Sequence, residues 1–598
     1  MDRNTAIGFT LIALLLMVYF YFFAGPTTAP PPPVTAAEVT DTVRTAERKP
    51  QAAALDTVAL ARLGDVGALL RGQELFTTIE NADIKLVLSN HGTPVSAELK
   101  NFKTYTQQPL VLISQSNSSL SLATRLDNET VDLYALYYQA AQSKRGDSTI
   151  VTFSATWGDG RFVRHTYALA PAGFQVRYRI ESNALAANEL LTLHWKNQTP
   201  LVEKDLNDSR LKTTINYYAP GQGFDGLGES SLDVEETTLS QPLQWLAIRQ
   251  KFFVSAIIAS GSFSGGYART YGYPGSEAIV KDTEVKALIP AADVLSGKST
   301  YSYYFGPNEY STLQQTNIPE FDRNLYLGWP PVKWVNRYLV VPVFSFLEGF
   351  ISNYGLMIVI LVLLVKLLLA PLSYQSYLGM AKMRLLKPEL DLIKEKYGDN
   401  MAQIQQEQMK LYQQAGVNPF SGCIPVLLQM PILIAMFYFF PVSIEFRQQS
   451  FLWAEDLSTY DSIINLPFSI PFYGSHVSLF TILMTISTLV YTWQNNQISS
   501  VTGPMKQVSY IMPVVFMFVM NTFSAGLSFY YFVSNLVTFT QQAIIKRFVD
   551  EDKIKRVMDE HKKKLIASGG TGKKSKFMAK LEEAMKASEE ARKKNERK

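Results

Sequence analysis

The amino-acid sequence predicts a multi-domain membrane protein with six transmembrane α-helices and one large all-β sandwich domain. The first observation behind this prediction is a shortage of charge: only 18% of the 598 residues are charged, against about 25% in typical soluble domains. The second is that several uncharged apolar stretches reach the roughly 20 residues that a helix needs to cross a bilayer. The third is a region from about residue 75 to residue 318 whose apolar and polar residues alternate, as in half-buried β-strands.

The composition excludes two common classes of protein. A single soluble domain is excluded by the length and by the segregation of the charged residues. A disulfide-stabilised fold is excluded because Cys423 is the only cysteine. The modest net charge of +4 conceals a basic C-terminal tail, since residues 546–598 contain 18 Lys or Arg and 10 Asp or Glu, a net charge of +8.

The first predicted transmembrane helix lies at the N-terminus. Residues 5–25 are uncharged and mostly apolar. The alternative is a cleaved signal peptide, whose apolar region usually spans about 7–15 residues and ends at a small-residue cleavage site. The run here is longer, and the bulky Phe22 stands three residues before any cleavage after Ala24. The sequence therefore favours an uncleaved anchor over residues 1–25.

Five more transmembrane helices are predicted in the C-terminal half. The last uncharged stretch runs from Gln507 to Ile545, about 58 Å of helix, which is too long for one crossing. The small-residue turn at Gly526 is expected to divide it in two. The predicted helices are residues 349–371, 421–441, 472–491, 507–523 and 527–545.

The Lys and Arg residues of the short loops predict the orientation, because such residues are retained on the cytoplasmic side. The loop between the second and third spans contains six of them, whereas the next loop contains only Arg447. The loop of residues 374–417 and the basic tail of residues 549–598 are therefore expected in the cytoplasm. The N-terminus is then also cytoplasmic, and residues 26 to about 345 lie outside.

The regions outside the predicted spans have distinct patterns. Residues 26–70 are rich in Pro and Ala and are expected to form a flexible linker, and residues 71–320 are expected to form the β-sandwich. Residues 329–346 predict either a helix in the membrane interface or a plain connector. Residues 374–417 predict a helical hairpin around Gly398, which either packs on itself or meets a cytosolic partner.

No catalytic motif is present in the sequence. His91, His165 and His194 lie in the strand-rich region, but none has a zinc-ligand spacing. No nucleophile-elbow motif occurs, and the tail string GGTGKKS lacks two residues that a phosphate-binding loop requires. We therefore expect no enzymatic activity, no metal and no cofactor. A membrane-anchored sugar-binding or sugar-processing protein remains an alternative.

Lys366 is the most informative residue of the predicted spans. Its helical neighbours are apolar, and no predicted span contains an Asp or Glu. A lysine at the centre of a bilayer costs about 2.5–3.5 kcal/mol on insertion scales. That cost is avoided if water reaches the side chain in a cavity. It is also avoided if the side chain extends to the cytoplasmic surface, which lies about 8 Å away near Pro371.

A polar stripe on the last span favours the cavity. Its residues recur at intervals of three and four, and Gln429 of the third span adds an amide. Such side chains face a bundle interior or a cavity, although they also hold helices together. The expected groove residues are Lys366, Gln429, Ser528, Tyr531 and Asn535. The expected apolar wall consists of Met430, Ile434, Phe437, Met512 and Phe516.

Such a groove suits the transfer of a short hydrophilic segment while an adjacent apolar segment enters the lipid. Adaptable methionine side chains would accept segments of varied sequence. The main alternative is a small-solute transporter. Many transporters contain inverted repeats, and no such repeat is visible in this sequence.

Three long motifs resemble those of the YidC-type membrane protein insertases. They are YLGMAKMRLLKPEL (Tyr377–Leu390), NPFSGCIPVLLQMP (Asn418–Pro431) and GLSFYYFVSNLVTFTQQ (Gly526–Gln542). The resemblance implies a monomeric insertase and chaperone of the bacterial inner membrane, which acts alone or with the Sec translocon. It implies a five-helix insertase core over residues 325–548. It also implies a periplasmic β domain that resembles sugar mutarotases without their activity.

The resemblance also assigns roles to individual residues. Lys366 occupies the position of the groove arginine of the family; lysine keeps the charge but loses the planar fork that binds carboxylates in a bidentate way. Gln429 and Tyr531 match groove positions, and Met430 and nearby residues match an apolar slide that contacts substrate. The implied partners are nascent membrane proteins, the Sec translocon, the lipid bilayer and the ribosome. The ribosome would bind the cytoplasmic loop and the basic tail, whose alternative role is to enforce the topology.

Overall fold

The computed structural model describes residues 63–567, except 127–128, 274, 299, 399, 419–423 and 499–503. The predicted anchor of residues 1–25, most of the predicted linker and the tail beyond residue 567 lie outside the described residues. The chain forms two compact units. The first extends to Tyr326 and includes Val442–Gln448, and the second contains Leu327–Pro441 and the chain from Gln449 onward.

Antiparallel strands form the first unit, which we call the β unit. In chain order they are β1 (Phe76–Glu80), β2 (Ile84–Ser89), β3 (Thr93–Lys103), β4 (Pro109–Ile113), β5 (Ser118–Leu126), β6 (Glu129–Asp132), β7 (Gln139–Arg145), β8 (Ser148–Trp157), β9 (Arg161–Leu169), β10 (Gln175–Ser182), β11 (Leu190–Pro200), β12 (Thr214–Ala219), β13 (Gly223–Gly226), β14 (Glu235–Leu239), β15 (Leu243–Arg249), β16 (Phe253–Phe263), β17 (Gly265–Gly272), β18 (Ile279–Pro290) and β19 (Thr300–Pro307). Short helices accompany them: α1 (Asp65–Ala68), α2 (Leu206–Leu211), α3 (Ala291–Leu295) and α4 (Tyr310–Gln315).

These strands form three sheets. The strand orders are β13-β12-β15-β16-β19-β10-β9-β8-β7, β14-β17-β18-β11-β5-β6 and β1-β2-β3-β4. The two larger sheets share one core, in which Trp195 of β11 packs edge-on against Tyr303 of β19. Strand β10 shows why the sequence forms such sheets: Val176 and Tyr178 are buried, whereas Arg177 between them is exposed. This alternation confirms the predicted β-sandwich.

The second unit is mainly helical. Its helices are α5 (Pro330–Val335), α6 (Val341–Glu348), α7 (Tyr354–Leu368), α8 (Ala370–Leu385), α9 (Lys387–Tyr397), α10 (Met401–Gln414), α11 (Ile424–Phe439), α12 (Leu479–Ile498), α13 (Pro504–Met520), α14 (Ala525–Phe548) and α15 (Glu551–Ala567). A π-helical turn, Asn336–Val340, joins α5 to α6, and the strands β20 (Ile464–Ile470) and β21 (Gly474–Val477) form a hairpin before α12.

The helix boundaries differ from the predicted spans, and two of the differences have a clear structural cause. The span predicted over residues 349–371 ends at Leu368, because the chain bends by 63° where α7 meets α8. The span predicted from residue 472 begins at Leu479, because the hairpin of β20 and β21 precedes it. Taken singly, none of the described helices combines the length and the apolarity of a bilayer span, whereas α7 and α8 do so as a bent pair. The count of six crossings therefore stays a prediction.

The helices α13 and α14 are separated at residues 521–524. The first amides of α14 are satisfied by a loop, since Ala525 N donates to Thr459 O at 2.7 Å and Gly526 N donates to Leu457 O at 2.9 Å. A Cβ atom at residue 526 would lie 3.1 Å from that same Leu457 oxygen, which is tight. A small residue at this position lets the loop approach the start of α14.

The helices α9 and α10 contact each other as a hairpin, and α15 packs on them. Ile554 and Met558 of α15 join a buried apolar cluster with Leu390 of α9 and Leu411 of α10. An ion pair of 2.7 Å joins Lys562 of α15 to Glu389 of α9. The hairpin therefore packs on itself, as one of the two sequence interpretations expected, and the helix that follows α14 also covers an apolar surface of it.

Candidate functional site

Lys366 lies on the buried face of α7. Only 8% of the residue is exposed, and Val362 and Val365 beside it are also buried. The opposite face of the same helix presents Leu364 and Leu368, which are exposed. The lysine therefore points into the helical unit and away from the leucine-rich face that suits lipid.

The ammonium group of Lys366 has a neutral partner. Its Nζ donates a hydrogen bond of 3.3 Å to Oε1 of Gln429 on α11. Among the residues that the structure describes, no carboxylate lies within 4.0 Å of this nitrogen. Because an ammonium has three N–H donors, the Gln429 bond leaves two of them for another acceptor. The charge is thus held in place without being neutralised.

Two helices fix the position of this lysine. Gln429 stands on α11 two residues before Pro431, a proline inside the helix that cannot donate to the carbonyl four residues earlier. From α14, the Nε2 atom of Gln541 donates to the backbone oxygen of Lys366 at 3.4 Å. The groove residues predicted from the sequence do not include Gln541.

Two residues of the polar stripe on α14 bond to another helix. Asn535 Nδ2 donates to Ser487 Oγ at 2.9 Å and to Thr488 Oγ1 at 3.0 Å on α12. The fully buried Ser528 shares a hydrogen bond of 3.1 Å with Thr481 Oγ1 of the same helix. These bonds hold α14 against α12, which is the alternative role of such stripes. The hydroxyl residues of α12 were missed by the sequence interpretation, although they too recur at helical spacing.

Tyr531 lies beside this contact and is half-buried. Its ring meets that of Tyr530 edge-on at 5.8 Å. Tyr530 is itself buried against Phe440, at a centroid distance of 5.7 Å. The packing of Tyr530 therefore sets the position of the Tyr531 ring.

The predicted apolar wall lies on α11 and α13. Met430, Met512 and Phe516 are exposed, whereas Ile434 and Phe437 are half-buried. The ring of Phe437 packs against Phe523 at 5.0 Å. Exposed apolar side chains of this kind are typical of surfaces that meet lipid or a partner.

The histidines of the β unit have structural partners. His165 is fully buried between two tyrosines, with Nδ1 2.8 Å from the Tyr178 hydroxyl and Nε2 3.1 Å from the Tyr138 hydroxyl. Burial lowers the pKa of His165 to about 3. His194 Nε2 donates to Glu284 at 2.7 Å, and His91 Nδ1 donates to the Leu136 oxygen at 2.9 Å. Within the described ranges, no group of three His, Cys, Asp or Glu side chains is placed to hold a metal ion.

Two family models match the chain. The model described as the 60Kd inner membrane protein matches residues 346–553, which include α7 and the helices that contact Lys366. The model described as the YidC periplasmic domain matches residues 77–341. Together these matches cover both units.

Full-length relatives carry one common name, membrane protein insertase YidC. The protein from Cytophaga hutchinsonii is 47% identical, with 99% of this chain and 98% of that protein covered. The protein from Amoebophilus asiaticus is 42% identical, with coverages of 98% and 99%, and that from Parabacteroides distasonis is 34% identical, with coverages of 100% and 99%.

Two solved structures are also similar. An active YidC insertase with its first transmembrane domain resolved is 18% identical, covers 82% of this chain and 97% of its own, and has a TM-score of 0.30. A putative aldose 1-epimerase from Escherichia coli K12 is 9% identical, with coverages of 39% and 100% and a TM-score of 0.25. Similarities this weak carry no argument about function.

Proposed function

Since the chain belongs to the YidC family of membrane protein insertases, we propose that it inserts and helps to fold proteins of the bacterial inner membrane. Its full-length relatives bear that name, and nothing in the comparisons favours a small-solute transporter. The observation that carries the mechanism is the position of Lys366: a cation on the buried face of α7, held by an amide and not by a carboxylate.

Lys366 attracts the hydrophilic part of a client. The two remaining N–H groups bind a carboxylate of the client segment that enters the groove. Because lysine is a compact point charge, it accepts carboxylates in more orientations than the planar fork of arginine does. Gln429 keeps the ammonium directed into the groove. Lys366 therefore contributes attraction for acidic segments more than a fixed binding geometry.

The apolar wall supplies the second half of the mechanism. The exposed Met430, Met512 and Phe516 offer the apolar client segment a surface on its way to the lipid. Burial of that segment in the bilayer drives the step, at about 25 cal/mol per Å² of apolar surface. The membrane potential adds about 2.3 kcal/mol per 100 mV for each negative charge that moves outward.

The proposed arrangement has five parts. Residues 1–25 anchor the chain, residues 26–70 link the anchor to a periplasmic β domain of residues 71–320, and residues 325–548 form the insertase core. Residues 549–598 extend into the cytoplasm, as does the N-terminus. The chain acts as a monomer, alone or with the Sec translocon, and the hairpin of α9 and α10 together with the basic tail contacts the ribosome. The packing of α15, the first helix of the tail, on this hairpin supports a surface to which the hairpin and the tail both contribute.

Site-specific crosslinking during insertion tests this proposal. The purified chain is reconstituted in vesicles with a photo-reactive residue at Gln429, Met430 or Tyr531, and a small acidic-tailed client is added without other proteins. We expect all three positions to capture the client. Ile486 on α12 is the control, because it is exposed like Met430 but lies on a helix outside the proposed wall. Capture at none of the three positions, or equal capture at Ile486, would contradict the proposal.

A further inference from the structure

An apolar hairpin precedes α12. It consists of β20 and β21, with Ile464 paired to Val477 and Asn465 paired to His476. Residues 462–505, which include the hairpin and all of α12, contain no Asp, Glu, Lys or Arg. At its end the hairpin presents Phe468, which is 60% exposed, and Phe472, which is 59% exposed. Ile464 is exposed as well.

Asp461 joins the base of the hairpin to the start of α12. Its carboxylate is buried, and Oδ2 accepts hydrogen bonds from the backbone N–H groups of Leu479 at 2.9 Å and Phe480 at 3.1 Å. A carboxylate at this position caps the first turn of a helix and interacts favourably with the helix dipole. Trp453 Nε1 donates to the same oxygen at 2.9 Å.

Asn521 joins the base to the end of α13. It is fully buried, and its Nδ2 donates to the backbone oxygens of Tyr473 and His476, each at 2.8 Å. Its Oδ1 accepts from Ser478 N at 2.9 Å. His476 Nε2 donates a hydrogen bond of 2.7 Å to the backbone oxygen of Asn521, and the His476 ring stacks on that of Tyr460 at a centroid distance of 3.7 Å. The base is therefore fixed to two helices, while the end of the hairpin remains exposed.

We propose that this hairpin is an anchor that inserts its apolar side chains into the bilayer surface, in the leaflet at the N-terminal end of α12. The partner is lipid because the exposed apolar surface continues without a charged residue onto α12, where Ile486 and Val490 are also exposed. That helix lies in the region that matches the inner membrane protein family. A protein partner would ordinarily be met by a polar or charged rim, and this hairpin has no charged residue.

The backbone limits the depth of insertion. An open sheet edge is not tolerated in the hydrocarbon core, where its N–H and C=O groups find no partner. The hairpin therefore lies at the boundary between headgroups and acyl chains, as amphipathic segments do. Two prolines reduce the cost there, because Pro467 and Pro471 have no N–H to satisfy. The anchored hairpin fixes the height of α12 and α13 in the membrane.

Lipid-attached quenchers test this inference on the full chain. Cys423 is replaced by serine, and Phe468→Cys is labelled with an environment-sensitive fluorophore in vesicles of phosphatidylethanolamine and phosphatidylglycerol. We expect a blue shift of the emission and a loss of fluorescence with lipids that carry a nitroxide near the headgroup. The loss should be smaller when the nitroxide is deep in the acyl chain. Val234→Cys is the matched control, since this residue of the β unit is 48% exposed and apolar.

A second label at Ile464 protects the test against a local effect of one substitution. It should be quenched in the same order as the label at position 468. Emission in the water range without quenching at both positions would overturn the inference. A blue shift without quenching would indicate contact with protein and would overturn it as well. The outcome does not depend on client insertion, so a result that overturns the anchor leaves the proposed insertase function unaffected.

Discussion

The ion pair between Arg447 and Glu203 should be essential for holding residues 442–448 in the first unit. Arg447 Nε lies 2.8 Å from Glu203 Oε1 and 3.1 Å from Oε2, and the guanidinium also donates to the backbone oxygen of Lys103. Its plane lies over the ring of Phe253 at 5.2 Å. The side chains are only 3% and 11% exposed. Such burial makes the carboxylate costly to leave without its partner.

The substitution Arg447→Ala should therefore destabilise the docked state of this segment by about 3–5 kcal/mol, the usual cost of removing one partner from a buried pair. Since each factor of ten in an equilibrium constant corresponds to about 1.4 kcal/mol, the population of undocked segment should rise about 100-fold or more. The double variant with Glu203→Ala should recover part of this loss, because no buried charge is then left alone.

Amide hydrogen exchange of the full chain measures this effect. The backbone N–H groups of Phe446 and Arg447 donate within the segment, and we expect their protection to fall by the same factor. Arg164→Ala is the matched control. Arg164 pairs with Glu181 at 3.6 Å with 45% of its side chain exposed, and surface pairs contribute about 0–1 kcal/mol. Equal protection in the two variants would refute the reasoning.

Three further predictions concern other contacts. Asn535→Leu removes the two bonds to α12 and should cost about 1.2 kcal/mol, since a hydrogen bond between membrane helices contributes about 0.6 kcal/mol on average; unfolding in mixed micelles would show it, and a stabilised variant would contradict it. Replacing both Ile554 and Met558 by Asp opens the cluster that seats α15, so limited proteolysis should cut α15 faster, whereas Asp at the exposed Val557 should not change the cutting rate. Finally, burial lowers the pKa of His165 to about 3. Keeping this imidazole neutral in the folded β unit costs no stability above about pH 6.5, the ordinary pKa of histidine. The cost grows as the pH falls from that value toward 3. At pH 5 the loss from this residue should be about 2 kcal/mol, and unfolding of the β unit in His165→Phe should show a correspondingly weaker acid dependence. An unchanged pH profile would exclude His165 as the cause.

Much of the fold could be predicted because it follows from local patterns. The alternation of Val176, Arg177 and Tyr178 defines a strand whose faces differ, and the structure buries the apolar face as expected. The sequence also assigned Lys366 and Gln429 to one groove, and the structure brings their side chains to 3.3 Å. In the first case, the strand period determines which residues share a face; in the second, the assignment rested on the rarity of polar side chains inside predicted spans.

Other features could not be predicted because they depend on contacts distant in sequence. The hairpin of β20 and β21 was missed because residues 462–505 are uncharged throughout, and composition alone does not distinguish an exposed apolar hairpin from a membrane span. Residues 442–448 join the first unit through Arg447, whose partner Glu203 lies far away in the sequence. The pairing of Asn535 with α12 likewise depends on the tertiary packing of the helices.

The most direct test of the central claim is insertion by variants of Lys366. Wild type, Lys366→Arg, Lys366→Met and Lys366→Glu are reconstituted in vesicles, and insertion is measured with an acidic-tailed client and with a neutral-tailed one. If the cation acts through its charge, the arginine variant should insert the acidic client like wild type, the methionine variant should be slower, and the glutamate variant slowest. The neutral client should be affected less. Equal insertion of the acidic client by all four forms would contradict the role of the charge.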